Sequence, residues 1–173
     1  MVLNLKDLRN EIDAVDDQIL SLILERKKIM KVITKCKIEN NVPTHDLARE
    51  NEILNKICDR FDNDNVGGIK LLYGILMDIN KMLEYKETPK KIDIPTQLGG
   101  ASVRAILSDR PGTLCRYLSP LAAAEVSISD IHPQSLPGGK LLVDIELLGN
   151  TNNPNFAAAL AVLADTADKF SLV

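Results

Sequence analysis

Residues 5–40 read LKDLRNEIDAVDDQILSLILERKKIMKVITKCKIEN, a run without glycine or proline. Apolar residues recur at Leu8, Ile12, Val15, Ile19 and Leu22, then at Ile29, Ile33 and Cys36. The steps alternate four and three, the rhythm of a long helix that buries one seam. Arg26 fills the slot between Leu22 and Ile29. Arginine does not shed its charge and is almost never buried without a partner. The seam therefore predicts an anion beside Arg26, either a carboxylate side chain or a ligand. A helix of about 36 residues is about 54 Å long, and three helices of some 80 residues in total cannot cover such a rod. A second copy of the chain, forming an intertwined helical dimer, is the expected remedy.

Beyond this helix, Asn40-Asn41-Val42-Pro43 is a stop signal. A second helix is expected from Thr44 or Asp46, either of which could cap it, to about Phe61. Asp62-Asn63-Asp64-Asn65 and then Gly67-Gly68 break the chain. A third helix carries Ile69, Leu72, Tyr73, Leu76, Ile79 and Leu83 on one side. Positions 86–97 hold Pro89, Pro95 and the charges Lys86, Glu87, Lys90 and Lys91, which suits an exposed linker.

After residue 100 the period changes. Strands are expected at Ser102–Leu107, Val126–Ile131 and Leu141–Leu148, and a last one at Lys169–Val173. A turn at Asp109-Arg110-Pro111-Gly112 leads into a helix through Ala124. A turn at Leu136-Pro137-Gly138-Gly139 joins two strands, and another helix spans Asn155–Ala164. The order βαββαβ is that of a ferredoxin-like α+β sandwich. Two domains follow: an all-α three-helix domain at 1–86 and an α+β domain at 100–173, joined by a linker at 87–99.

The 173 residues are 45% hydrophobic and 26% charged, as in an ordinary globular protein. With no tryptophan, 3% aromatic residues, a net charge of −3 and no basic run, nucleic acid is a poor partner. Neither an h-region nor an apolar stretch of membrane-spanning length occurs, so the expected location is cytoplasmic, with no membrane partner. Cys36, Cys58 and Cys115 have no metal-ligand spacing and read as small buried hydrophobes.

Several polar residues of the helical half share faces. Lys37 lies eleven positions after Arg26, roughly 20° around the helix and about 16 Å along it. Arg9 points roughly 100° away from Arg26, so within one chain it serves that face poorly, whereas in an intertwined dimer it could reach the partner's pocket. Asp46, Arg49 and Glu50 fall at i, i+3 and i+4, and Asn80 and Glu84 at i and i+4. Taken singly, Arg9, Lys37 and Arg49 read as solvated surface groups. Gathered with Arg26, they would make a pocket for a small dianion.

The segments Leu8-Arg9-Asn10-Glu11-Ile12-Asp13, Leu22-Ile23-Leu24-Glu25-Arg26-Lys27, Lys35-Cys36-Lys37 and Pro43-Thr44-His45-Asp46-Leu47-Ala48-Arg49-Glu50 resemble the all-helical chorismate mutases. The resemblance covers residues 5–85. It implies a homodimer paired through the long first helix, with Arg9 donated to the other protomer's site. Arg26 would bind a substrate carboxylate and Lys37 would donate to the ether oxygen. Asp46, Arg49 and Glu50 would surround the ring hydroxyl, and Asn80 would help hold a carboxylate. The implied reaction, chorismate to prephenate, is a one-substrate rearrangement that needs no cofactor or metal. It needs cations that hold the compact conformer and donors aimed at the ether oxygen. The chain departs from the family's pattern at Asn80, where many relatives have serine, and at Glu84, where bacterial relatives commonly have a glutamine donor. An ionised carboxylate has no proton to give, so a catalytic Glu84 has to be protonated, and turnover should be stronger at acidic pH.

The second half resembles an ACT domain, a small amino-acid-sensing module. The resemblance rests on Asp109-Arg110-Pro111-Gly112-Thr113-Leu114 and on the βαββαβ order. It implies that this turn and the helix start bind an amino-acid effector such as phenylalanine or tyrosine, for which backbone amides are apt. Where phenylalanine-sensing relatives have Glu-Ser-Arg-Pro, this chain has His132-Pro133-Gln134-Ser135. Two other functions stay open on the same residues: an isochorismate-pyruvate lyase on the same scaffold, and a non-catalytic, amino-acid-binding partner of a shikimate-pathway enzyme.

Overall fold

The computed structural model describes residues 4–43, 46–60, 66–90, 92 and 99–173. The elements are α1 (Leu5–Glu39), α2 (Leu47–Cys58), α3 (Val66–Glu87), β1 (Gly100–Ser108), α4 (Thr113–Ala123), β2 (Ser127–Leu136), β3 (Lys140–Leu148), α5 (Pro154–Thr166) and β4 (Lys169–Leu172). Three helices followed by βαββαβ is the predicted order. The chain divides into two compact units, Met1–Val42 and Pro43–Val173.

The first unit is α1. Asn4 caps it, its side chain accepting the Lys6 N–H at 3.1 Å. Its end explains the stop at Asn40-Asn41-Val42. Asn41 takes a left-handed φ of 51°, which asparagine tolerates better than most residues. That turn lets the Val42 N–H reach the Lys37 carbonyl at 2.9 Å and the Asn41 N–H reach the Ile38 carbonyl at 3.3 Å. The pair of bonds is a Schellman motif, and it satisfies carbonyls that the helix end leaves over. Along α1 the apolar seam lies in water: Ile12, Val15, Ile19, Leu22 and Ile29 are all exposed, Leu22 at 64%.

The second unit holds everything else. Its four-stranded sheet has the order β2-β3-β1-β4, antiparallel throughout, with β1 paired to β3 from Gly100↔Leu148 to Ser108↔Lys140. A Cβ on Gly100 would stand 1.8 Å from the Leu147 carbonyl oxygen, so only glycine can start β1 there. Alternation along β1 and β3 turns Val103, Ala105, Leu107, Leu141, Val143, Ile145 and Leu147 into one core. Strand β2 runs five residues beyond the predicted end at Ile131 and passes through Pro133. As an edge strand it loses little by proline's missing N–H.

Helix α5 decides where the unit ends. It begins on an Asn153 cap with Pro154 in its first turn, and Phe156 and Ala158–Leu163 are all buried. A helix apolar all round needs cover on more than one side. Helix α3 packs against both α4 and α5, and its Met82 and Tyr85 belong to the same core as the sheet residues. The Tyr85 hydroxyl donates to Asp165 on α5, and Lys90 pairs with the same carboxylate. The compact units part between Val42 and Pro43, and residues 91 and 93–98 lie outside the described residues.

Smaller differences have local causes. Helix α2 ends at Cys58 rather than near Phe61, and Phe61 lies outside the described residues, as does Thr44. Gly67 and Gly68 sit in the first turn of α3 instead of ahead of it, where the N–H groups need no helical partner. Cys36 and Cys115 are exposed and Cys58 is partly buried, which corrects their reading as small buried hydrophobes. Cys36 follows the exposed seam, and the Cys58 thiol donates to the Leu54 carbonyl at 2.8 Å.

Candidate functional site

On α1, Arg9 is exposed while Arg26 and Lys37 are half-buried. The unbroken helix from Leu5 to Glu39 sets Arg26 and Lys37 on one face, about three turns apart.

The residues of α2 part company. Asp46 is the N-cap, its carboxylate accepting the Arg49 N–H at 2.9 Å. Asp46 so satisfies one of the free donors of the first turn, and its charge favours the positive end of the helix. Arg49 points to solvent and pairs with Glu52 at 2.6 Å, and Lys56 approaches the other Glu52 oxygen at 2.6 Å. Hydrogen bonds from Lys56 and then Arg49 hold the Glu52 carboxyl down at about 2.

Glu50 turns inward and is buried. Lys81 of α3 reaches its Oε1 at 2.6 Å, and Arg116 of α4 reaches its Oε2 at 3.1 Å. The same two cations hold Asp78, Lys81 at 3.2 Å and the Arg116 Nε at 2.9 Å. Two carboxylates and two cations thus balance one another inside the second unit. Burial works against the charge of Arg116, but the Asp78 and Glu50 carboxylates outweigh it and raise the guanidinium pKa above its usual value. Removing one partner would strand the others in a poor solvent for charge.

On α3, Asn80 and Glu84 are buried one turn apart. The Asn80 amide donates to the Leu76 carbonyl at 2.7 Å. The Glu84 carbonyl accepts from the Thr88 N–H at 2.9 Å and the Thr88 hydroxyl at 3.0 Å, which closes that turn of the helix. The strongly buried face of α3 is Gly74, Met77, Asp78, Lys81, Met82 and Tyr85, whereas Leu72 of the apolar side is exposed.

At the start of α4, Gly112 has φ 83°, a left-handed value that favours glycine. The Thr113 hydroxyl donates to the Ser108 carbonyl at 3.0 Å and accepts the Arg110 N–H at 3.2 Å. Asp109, Arg110, Pro111 and Gly112 are exposed, and Thr113 and Leu114 are half-buried. Tyr117, one turn further on, is buried with no hydrogen-bond partner for its hydroxyl among the described residues, and burial pushes its pKa up.

The structure therefore brings Glu50 into contact with Lys81 and Arg116, and through them into one cluster with Asp78, residues that sequence reasoning passed over. A signal for two of them exists. Asp78 and Lys81 interrupt an apolar run from Ile75 to Met82, much as Arg26 interrupts the seam of α1. Among the described residues no group of three or more His, Cys, Asp or Glu side chains could hold a metal ion. No described helix is long and apolar enough to cross a membrane.

The sequence profile of the family described as chorismate mutase type II matches residues 8–85. The chorismate mutase of Methanocaldococcus jannaschii is 34% identical over 87 residues, covering 49% of this chain and 87% of that protein. The bifunctional chorismate mutase/prephenate dehydratase of Aquifex aeolicus is 45% identical over 65 residues, 38% of this chain. The protein of the same description from Buchnera aphidicola subsp. Schizaphis graminum is 31% identical over 85 residues. The matched part spans only 18% and 22% of those two bifunctional relatives.

Proposed function

This chain belongs to the chorismate mutase type II family, and we propose that it rearranges chorismate to prephenate at a site built from its helical part. The observation that carries the reading is the match to almost the whole of a protein named chorismate mutase; Arg9, Arg26, Lys37 and Arg49 are the cations this reading assigns to the site. In this reading residues 1–86 are the mutase domain, 87–99 the linker and 100–173 an ACT-like regulatory domain. A cytoplasmic location is part of the same reading.

The reaction breaks a C–O bond and forms a C–C bond within one molecule, so no nucleophile is needed. The work left to the protein is to hold a flexible dicarboxylate in its compact conformer and to stabilise negative charge on the ether oxygen as the bond breaks. Arg26 and Lys37 lie on one face of α1, one for a carboxylate and one for the ether oxygen. Arg9 comes from a second copy, because in its own chain it points away from that face. The exposed seam of α1 supplies the surface along which two copies pair, since burying it removes a continuous apolar stripe from water. Asp46, Arg49, Glu50 and Asn80 complete the pocket, and Glu84 donates to the ether oxygen in its protonated form. Residues 109–114 take an aromatic amino acid, phenylalanine or tyrosine, at the exposed turn before α4.

A chorismate-loss assay with product identification tests this. Prephenate is expected, with turnover falling as pH rises, because only a protonated carboxyl donates. Glu84→Gln, a donor at every pH, is expected to extend activity upward. A wild-type rate flat between pH 5 and 8 would remove Glu84 from the mechanism. Pyruvate from isochorismate would replace the mutase with a lyase, and no turnover with either substrate would leave a binding partner.

A further inference from the structure

Helix α4 carries in its first turn a side chain of the α+β half that reaches α2. Arg116 spans α3 to do so: its Nε and Nη2 bind the two Asp78 oxygens at 2.9 and 3.3 Å, and Nη2 continues to Glu50 at 3.1 Å. Lys81 takes the other Glu50 oxygen at 2.6 Å. The direction of the Glu50 carboxylate is therefore set from both of its oxygens. Gly74 leaves room for the crossing: a Cβ there would stand 3.0 Å from the Arg116 Nε and 3.1 Å from its Cδ, so the arginine would have to give by a few tenths of an ångström. At its other end Arg116 is tied to the turn, its backbone N–H donating to the Gly112 carbonyl at 3.0 Å.

We propose that Arg116 is a positioning residue through which the Asp109–Leu114 turn acts on Glu50, so that an aromatic amino acid held at the turn alters the enzyme's affinity for chorismate. This rests on the mutase reading above. A purely structural tie between α4 and the helices beneath it has no need of charge, since well-packed apolar side chains serve as well or better. Three buried charges, Glu50, Asp78 and Lys81, with the half-buried Arg116 fix an orientation instead. Arg116 touches no substrate; it acts by holding Glu50, which in the mutase reading lies at the substrate ring. A ligand that shifts the first turn of α4 shifts the guanidinium and, with it, the Glu50 carboxylate. Reciprocity requires that chorismate then alter the affinity for the amino acid by the same factor.

The test is steady-state chorismate kinetics on the full chain, with and without L-phenylalanine or L-tyrosine, for wild type, Arg116→Gln, Arg116→Lys and Gly74→Ala. Thermal midpoints are measured alongside. In wild type one of the two amino acids is expected to change KM by about fivefold or more. Arg116→Gln is expected to raise KM by about tenfold with kcat within about twofold, the signature of lost binding rather than lost chemistry, and to abolish the amino-acid effect. Arg116→Lys, which keeps the charge but not the forked geometry, should recover part of the affinity. Gly74→Ala, which leaves every charge in place and displaces the guanidinium, should weaken the amino-acid response in a folded protein, so the test stands even if Arg116→Gln fails to fold. An unchanged KM and amino-acid response in Arg116→Gln would overturn the inference. So would a lowered midpoint with kcat and KM affected alike and no rescue by lysine, or a wild type that turns chorismate over but ignores both amino acids. A wild type without chorismate turnover would overturn the mutase reading itself.

Discussion

On α3, Asp78 and Lys81 lie inside the protein, their side chains 1% and 7% exposed and held by Arg116 and Glu50. On α1 the reverse holds. Ile12, Val15, Ile19 and Leu22 lie in water although their spacing is that of a buried seam. Each helix mixes apolar and charged residues, but the environment of α3 is completed by α2, α4 and α5 within one chain, whereas the seam of α1 is left open in a single copy. The contrast separates two sources of order. The second unit is closed by its own core and its balanced charges; α1 in our reading is completed by another α1.

The largest expected effect comes from Ile19→Asp. Each copy loses a seam isoleucine, worth about 2–5 kcal/mol where the site is packed, and the two new carboxylates repel each other. Sedimentation velocity is expected to show a dimer becoming a monomer, with turnover lost and the unfolding of the second unit unmoved. A variant that stays dimeric would break the comparison by showing that α1 pairs through another face.

Next is Asp78→Ala, which leaves the buried Lys81 and the half-buried Arg116 with one carboxylate between them. The expected cost is about 3–5 kcal/mol, read as a lower urea midpoint at unchanged slope. A cost below about 1 kcal/mol would mean that the charges on α3 are as dispensable as surface pairs.

Tyr117→Phe should do least. It deletes a buried hydroxyl without a partner among the described residues, so stability should stay within about 0.5 kcal/mol or rise slightly. A loss above about 1.5 kcal/mol would reveal a hydrogen bond and add Tyr117 to the polar groups that hold α4.

Much of the fold was legible because it is written in local periods. The four-three rhythm predicts α1 to within a residue at its end, and the turns at 109–112 and 136–139 place α4 and the β2–β3 hairpin. The full length of β2 is hidden in the sequence because Pro133 looks like a terminator until the strand is known to lie at the sheet's edge. The cluster around Glu50 was not legible, for its members are far apart in sequence and Asp78 and Lys81 pass for a surface pair at i and i+3. The burial of their face becomes visible only when α4 is seen to send Arg116 across Gly74. The positions of Arg9, Arg26 and Lys37 could be read from helical angles, but helical angles alone do not say which copy of the chain uses Arg9.

A subunit-mixing experiment answers that most directly. Arg9→Ala and Arg26→Ala proteins, each expected to be inactive on chorismate in the proposed reading, are co-expressed or allowed to exchange subunits. If Arg9 serves the partner's site, a mixed dimer holds one intact site and one doubly defective site. Half of the dimers are mixed, so turnover should return to roughly a quarter of wild type. Turnover that stays at the level of the separate variants would place Arg9 and Arg26 in the same site of the same chain, and would contradict the pairing of two copies through α1 as the source of the active site.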